Sequence, residues 1–173
     1  MKKIAIFTFL FLLTANAYAG EHPTEPYTGS APFEKLKGLA GKWTGTVVEG
    51  GQTEEKPATV DYEVSSGGSA LIEKLGVGTP AEMVSIYNDE NGKLVMTHFC
   101  LMRNQPKLKL VSADDKQIQL EMVEANGVKL TDSHMHSLKI TFDGKDAMTQ
   151  EWSGYAEGKP MGAPTVVKLT RVK

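Results

Sequence analysis

The chain predicts an all-β fold, a ten-stranded antiparallel up-and-down barrel preceded by one short helix. Three observations lead there. Apolar residues recur with a period of two in ten short stretches between Lys42 and Val172. Turn signals such as Asp89-Glu90-Asn91-Gly92 and Asp143-Gly144-Lys145 separate the stretches. Helical spacing occurs once, at Phe33, Leu36 and Leu39, and Gly41 ends it. Short strands with frequent turns and almost no helix indicate a barrel or a sandwich.

The elements follow in order. Lys2 and Lys3, the apolar run Ile4 to Leu13 and the small-x-small site Ala17-Tyr18-Ala19 are expected to be a signal peptide over residues 1–19. The apolar run is shorter than the roughly 20 residues that span a bilayer. Residues 20–32, rich in Pro, Gly, Thr and Glu, read as a flexible leader, and residues 33–173 as one barrel domain. The strands are expected over 42–49, 58–65, 70–75, 82–88, 93–100, 107–112, 117–123, 134–142, 147–155 and 165–172. In the second, Val60, Tyr62 and Val64 alternate with Thr59, Asp61 and Glu63. In the third, either Glu73 shares the inner face with Leu71 and Leu75, or Ile72 points in and Glu73 meets water.

Composition narrows the function classes. The 173 residues carry 19 basic and 21 acidic side chains, a formal charge of −2 that becomes −4 once Lys2 and Lys3 leave with the signal. No basic patch points to nucleic acid. The expected location is periplasmic or secreted, with no membrane span after cleavage. The single cysteine, Cys100, makes an intramolecular disulfide impossible. It is a buried thiol, an intermolecular bridge or a ligand.

The most informative pattern is where the histidines fall. His98 and Cys100 share a face with Leu94 and Met96, and His134 and His136 share one with Leu138, Ile140 and Phe142. Ligand-capable groups thus stand where a core is expected. In a meander, strand parity brings the end of the fifth strand and the start of the eighth to one rim. Trp43 and Arg171 meet at the other. The candidate ligand-binding residues are His98, His134, His136, Cys100, Tyr62, Arg103 and Trp152. His98, Cys100, His134 and His136 are also a candidate metal set, since imidazole with thiolate suits Zn or Cu(I). Against it, two strands intervene between the pairs, and the spacing matches no standard zinc motif. Satisfied core histidines are the plainer alternative. No serine elbow, H-E-x-x-H or phosphate loop is present, and no catalytic residue is assigned.

Gly41-Lys42-Trp43 after a short helix resembles the G-x-W opening of lipocalins and the wider calycin superfamily. The resemblance implies that Trp43 packs at the closed end and that a basic residue of the last strand, Arg171, lies across it. Met96-Thr97-His98-Phe99-Cys100, Asn104-Gln105-Pro106, His134-Met135-His136 and Glu151-Trp152 resemble uncharacterised exported bacterial lipocalin-like proteins. The barrel also resembles nitrobindin, a ten-stranded haem protein whose axial histidine lies near the chain end. No histidine follows His136 here.

The sequence is therefore read as an exported calycin-like barrel binding a small, partly apolar molecule. Its walls would be Val60, Tyr62, Met96 and Leu108 with Leu120, Leu138 and Trp152. The alternative is a metal or haem protein using the four-residue cluster, with Zn, Cu or haem and none preferred.

Overall fold

The structure is a computed structural model that describes residues 25–173. The expected signal peptide and the first residues of the expected leader lie outside the described residues. Helix α1 (Ala31–Lys37) comes first, followed by β1 (Gly41–Val48), β2 (Lys56–Ser65), β3 (Ala70–Leu75) and β4 (Met83–Glu90). Then come β5 (Lys93–Phe99), β6 (Lys107–Ala113), β7 (Gln117–Val123) and β8 (His134–Phe142). The chain ends with β9 (Ala147–Ala156), the two-residue β10 (Lys159–Pro160) and β11 (Thr165–Arg171).

Each strand from β1 to β9 pairs antiparallel with its neighbour in sequence, and β11 bridges β9 and β1. This closes a barrel of ten strands, the expected class. Strand β10 stands outside the wall, hydrogen-bonded only to β9. Closure between β1 and β11 depends on Gly45, where an added Cβ would lie 1.9 Å from the Lys168 carbonyl oxygen. The turn between β4 and β5 is Asn91-Gly92, with φ of 52° and 73°. Two consecutive positive φ angles are what a two-residue hairpin turn of matching twist demands.

The expected wall residues Val60, Tyr62, Met96, Leu108, Leu120, Leu138 and Trp152 all belong to one buried cluster. The two ends differ. Helix α1 closes one end through Phe33 and Leu36, which are fully buried. Residues before the helix are tied to the same end. Tyr27 N–H donates to the Gly67 carbonyl, and Ser30 Oγ to Asp89 Oδ1 at 2.8 Å. At this end the Arg171 guanidinium lies 4.4 Å from the Trp43 ring centroid. The pairing that the resemblance implies is therefore present. Among the described residues, no helix is long and apolar enough to cross a membrane.

The opposite rim includes loops 100–106 and 124–133 and the segment 157–164 that carries β10. They are cross-linked: Asn104 Nδ2 donates to the Ser133 carbonyl at 2.7 Å, and Glu157 N–H to the Thr131 carbonyl at 3.0 Å. Leu101, Met102, Leu130 and Met161 stand exposed on these loops.

Candidate functional site

A layer of polar side chains crosses the barrel interior below this rim. Four adjacent strands supply it through direct cross-strand partners. Tyr62 on β2 faces Glu73 on β3, Glu73 faces Ser85 on β4, and Ser85 faces His98 on β5. Each lies on the inward parity of its strand. That settles the open register of the third strand: Glu73 is buried and Ile72 faces outward.

Glu73 is the hub. Tyr62 Oη donates to Oε1 at 2.6 Å and Tyr87 Oη to Oε2 at 2.8 Å. Gln150 on β9 reaches across and donates from Nε2 to Tyr62 Oη at 2.6 Å and to Glu73 Oε1 at 2.5 Å. Trp152 Nε1 donates to Gln150 Oε1 at 3.1 Å, so the amide cannot turn round without losing partners. Burial pushes the Glu73 carboxyl above the usual carboxylate range, against the hydrogen bonds from Tyr62, Gln150 and Tyr87 that favour its charge. Burial and the neighbouring carboxylate push both tyrosine hydroxyls well above their ordinary value.

His98 forms the rim-side end of the layer. It is 1 % exposed, with Nδ1 3.0 Å from Ser85 Oγ and its ring centroid 5.0 Å from that of Trp152. Burial lowers its pKa to about 4, so the imidazole is neutral at physiological pH. Its other nitrogen, Nε2, is buried and is met by no donor or acceptor of the protein. Buried polar atoms nearly always have a partner, and an exception calls for an explanation.

His134 and His136 are elsewhere. The pairing of β8 with β9 slips between Met135 and Ser137, so His136 is an extra residue with no opposite number on β9. Such a bulge reverses the alternation beyond it. Met135 packs against the core, while His134 pairs with Tyr155 on the opposite face. This corrects the expected shared face of His134 and His136 with Leu138. By this register His134 and Tyr155 share the outer face of the wall, where His134 is covered and fully buried and His136 stacks on Tyr155 with centroids 3.8 Å apart. His134 Nδ1 sits 2.8 Å from the Asp132 carbonyl oxygen, and His134 Nε2 3.1 Å from His136 Nδ1. Burial, with help from His134, holds the His136 pKa below the ordinary value, opposed by Glu121.

Cys100 and Arg103 belong to the rim loop after β5. Cys100 is half-buried, its N–H bonded to the Asn104 carbonyl. Arg103 is exposed and has φ of 61°. Strand parity thus brings His98 and His134 to one rim as expected, but the bulge puts the barrel wall between them. His98, Tyr62 and Trp152 come together inside, while Cys100, Arg103, His134 and His136 do not join them. Among the described residues, no three His, Cys, Asp or Glu side chains are grouped to hold a metal ion. Nor does a histidine follow His136 to serve as a nitrobindin-type axial ligand. Ser85, Tyr87 and Gln150 complete the polar layer, and sequence reading assigned neither Tyr87 nor Gln150 to the site. The only signal for them was inward parity, which polar residues of a strand share with its core.

No family model and no curated protein matches the chain. Its structure is similar to a crystal structure of Rv2717c from M. tuberculosis, with a TM-score of 0.54 and 18 % sequence identity. The alignment covers 84 % of this chain and 100 % of that one, and at this identity the likeness is one of fold.

Proposed function

We propose that this protein is an exported, calycin-like binding barrel for a small, partly apolar molecule. The ligand enters at the loop-lined rim and is oriented by His98. The observation that carries this reading is the buried Nε2 of His98, facing no protein partner beside Trp152. Barrel mouths and interiors are common ligand sites, with apolar walls and few polar groups. The rim supports the apolar half of the reading. Leu101, Met102, Leu130 and Met161 are exposed there, and Met135 and Met83 lie partly buried within. Methionine-rich mouths adapt readily to varied apolar shapes. The layer below fixes one end of the molecule by hydrogen bonding.

The test is native mass spectrometry of the full chain purified from its own cell envelope, beside Trp152 fluorescence titrated with phenol, indole and octanoate. A retained compound, lost in His98→Leu, is expected. Ligand-free protein that shows no Trp152 response to any of the three probes would overturn the reading.

A further inference from the structure

Among the described residues, two buried side-chain polar atoms have no partner, His98 Nε2 and Asn104 Oδ1. The binding reading uses the first. The second belongs to the loop after β5, and the backbone fixes which way its residue faces. His98 N–H donates to the Pro106 carbonyl, and Cys100 N–H to the Asn104 carbonyl. These bonds carry the β5–β6 pairing of Met96 with Leu108 on to the end of the hairpin, with His98 opposite Pro106 and Cys100 opposite Asn104. Arg103, at φ of 61° and with its N–H bonded to the Cys100 carbonyl, takes the left-handed place that closes a three-residue loop of this kind. Opposite residues of an antiparallel pair share a face, and the face alternates along each strand. Leu108 and Pro106 are buried, while Lys107 and Gln105 between and beside them are half-buried. Asn104 therefore shares the inner face with Leu108, Pro106 and His98, one step nearer the rim. Residues on such a diagonal stand about 7–8 Å apart, within the span of one small molecule.

The Asn104 amide has a fixed polarity. A carbonyl oxygen only accepts, so the atom 2.7 Å from the Ser133 carbonyl oxygen is the amide nitrogen. The buried atom is then the oxygen, which also only accepts.

We infer that Asn104 Oδ1 and His98 Nε2 are the two poles of one ligand site at the rim, which takes a small neutral molecule whose polar end carries an N–H or O–H donor. This rests on the proposed binding reading and deepens it by naming a second binding residue and the ligand's chemical class. The donor goes to Asn104 Oδ1, and His98 Nε2 meets a further polar atom of the same group. The Trp152 ring, 5.0 Å from that of His98, flanks the apolar body. A carboxamide suits both poles. It has two N–H donors and a carbonyl acceptor, so it satisfies His98 in either tautomer. A carboxylate has no donor and sets its charge against a buried oxygen. An ester has no donor either, and leaves Oδ1 without a partner.

Benzamide, benzoate and methyl benzoate share one ring and differ in the polar end. Titrations of the full chain, read by tryptophan fluorescence and by the Asn104 side-chain amide signals, should give benzamide a Kd at least tenfold below the other two. Apolar burial alone would favour methyl benzoate, so the order itself is diagnostic. In Asn104→Leu the preference over methyl benzoate should fall below about threefold. Asn126→Ala removes another clasp on the same loop, from Nδ2 to the Gln105 carbonyl at 3.1 Å, and should keep the preference. No preference for benzamide in the wild type, a preference retained in Asn104→Leu, or one lost equally in Asn126→Ala overturns the inference. Should Asn104→Leu not fold, nuclear Overhauser contacts of the Asn104 amide protons decide. Contacts with Ser133 and His134 are expected. Contacts with the His98 ring would turn the donor inward and overturn the assignment. If phenol or indole binds and benzamide gains nothing over methyl benzoate, this inference falls alone. If none of the probes binds, the binding reading falls and takes this one with it.

Discussion

The Arg171 guanidinium lies over the Trp43 ring, 4.4 Å from its centroid, while donating to the Ala40 carbonyl at 2.7 Å and the Gly38 carbonyl at 2.8 Å. The Trp43 indole donates to the Leu39 carbonyl at 2.8 Å. The last strand therefore holds down the C-terminal end of α1, whose carbonyls have no further helical partners. Arg171→Ala should cost about 2–3 kcal/mol, from the lost cation–π contact and charged hydrogen bonds. At this chain length that lowers Tm by roughly 4–12 °C. A Tm within 1 °C of wild type would show that the closed end does not need this clamp.

Removing either phenol from the hub should destabilise the barrel and shift Glu73. Tyr62→Phe and Tyr87→Phe each take one donor from a buried carboxyl, at a cost of about 1.5–3 kcal/mol. Each should also raise the Glu73 pKa further, because the lost bond favoured the charged form. Urea unfolding measures the first effect, and carbon-detected NMR of the carboxyl the second. The double variant should cost less than the two single changes added, since both act on one group.

His98 and Glu73 make opposite contributions to pH-dependent stability. The folded pKa of His98, about 4, lies below its ordinary 6.5. Its contribution is complete above 6.5 and is lost as pH falls through 4, a change of about 3 kcal/mol. Glu73 has a raised folded pKa, so its contribution is complete below 4.5 and fades as pH rises through the folded value. Urea unfolding from pH 4 to 7 should show the wild type losing its advantage over His98→Gln on acidification. The wild type should lose ground to Glu73→Gln as pH rises above 4.5. Parallel pH profiles for all three proteins would contradict both assignments.

Outside the wall, His134 and His136 form a pair with defined tautomers. A carbonyl oxygen accepts at His134 Nδ1, so this nitrogen carries the proton, and His134 Nε2 accepts from His136 Nδ1. Replacing His134 by Ala removes a neighbour that resists protonation of His136. The His136 pKa should rise, as read by NMR titration, with His98 unmoved because the wall separates them. A parallel shift of His98 would place all three rings in one site.

Much of the fold was legible in the residues. Period-two alternation and the Asn-Gly and Asp-Gly turns located ten strands within one or two residues at most ends. Parity placed His98 and His134 at one rim, and Trp43 with Arg171 at the other. The two-residue β10 was not legible, because Lys159-Pro160 is too short to show a period. The bulge at His136 was not legible either. His134-Met135-His136-Ser137-Leu138 alternates without a break, and nothing local marks an inserted residue. A slip of one residue is enough to exchange inside for outside. The sequence therefore over-counted the interior histidines.

What the sequence determined by itself is the all-β class, the strand order of a meander and the inward parity of Tyr62, His98 and Trp152. Those follow from local stereochemistry, which repeats every two residues whatever the neighbours are. Tertiary structure decided the register between strands. That register set Glu73 opposite both Tyr62 and Ser85, carried Gln150 across the barrel to the same carboxyl, and turned His134 and His136 outward. These relations depend on which residue of one strand faces which of another. Closing the barrel sets that choice by the fit of all ten strands at once, so no single segment contains it.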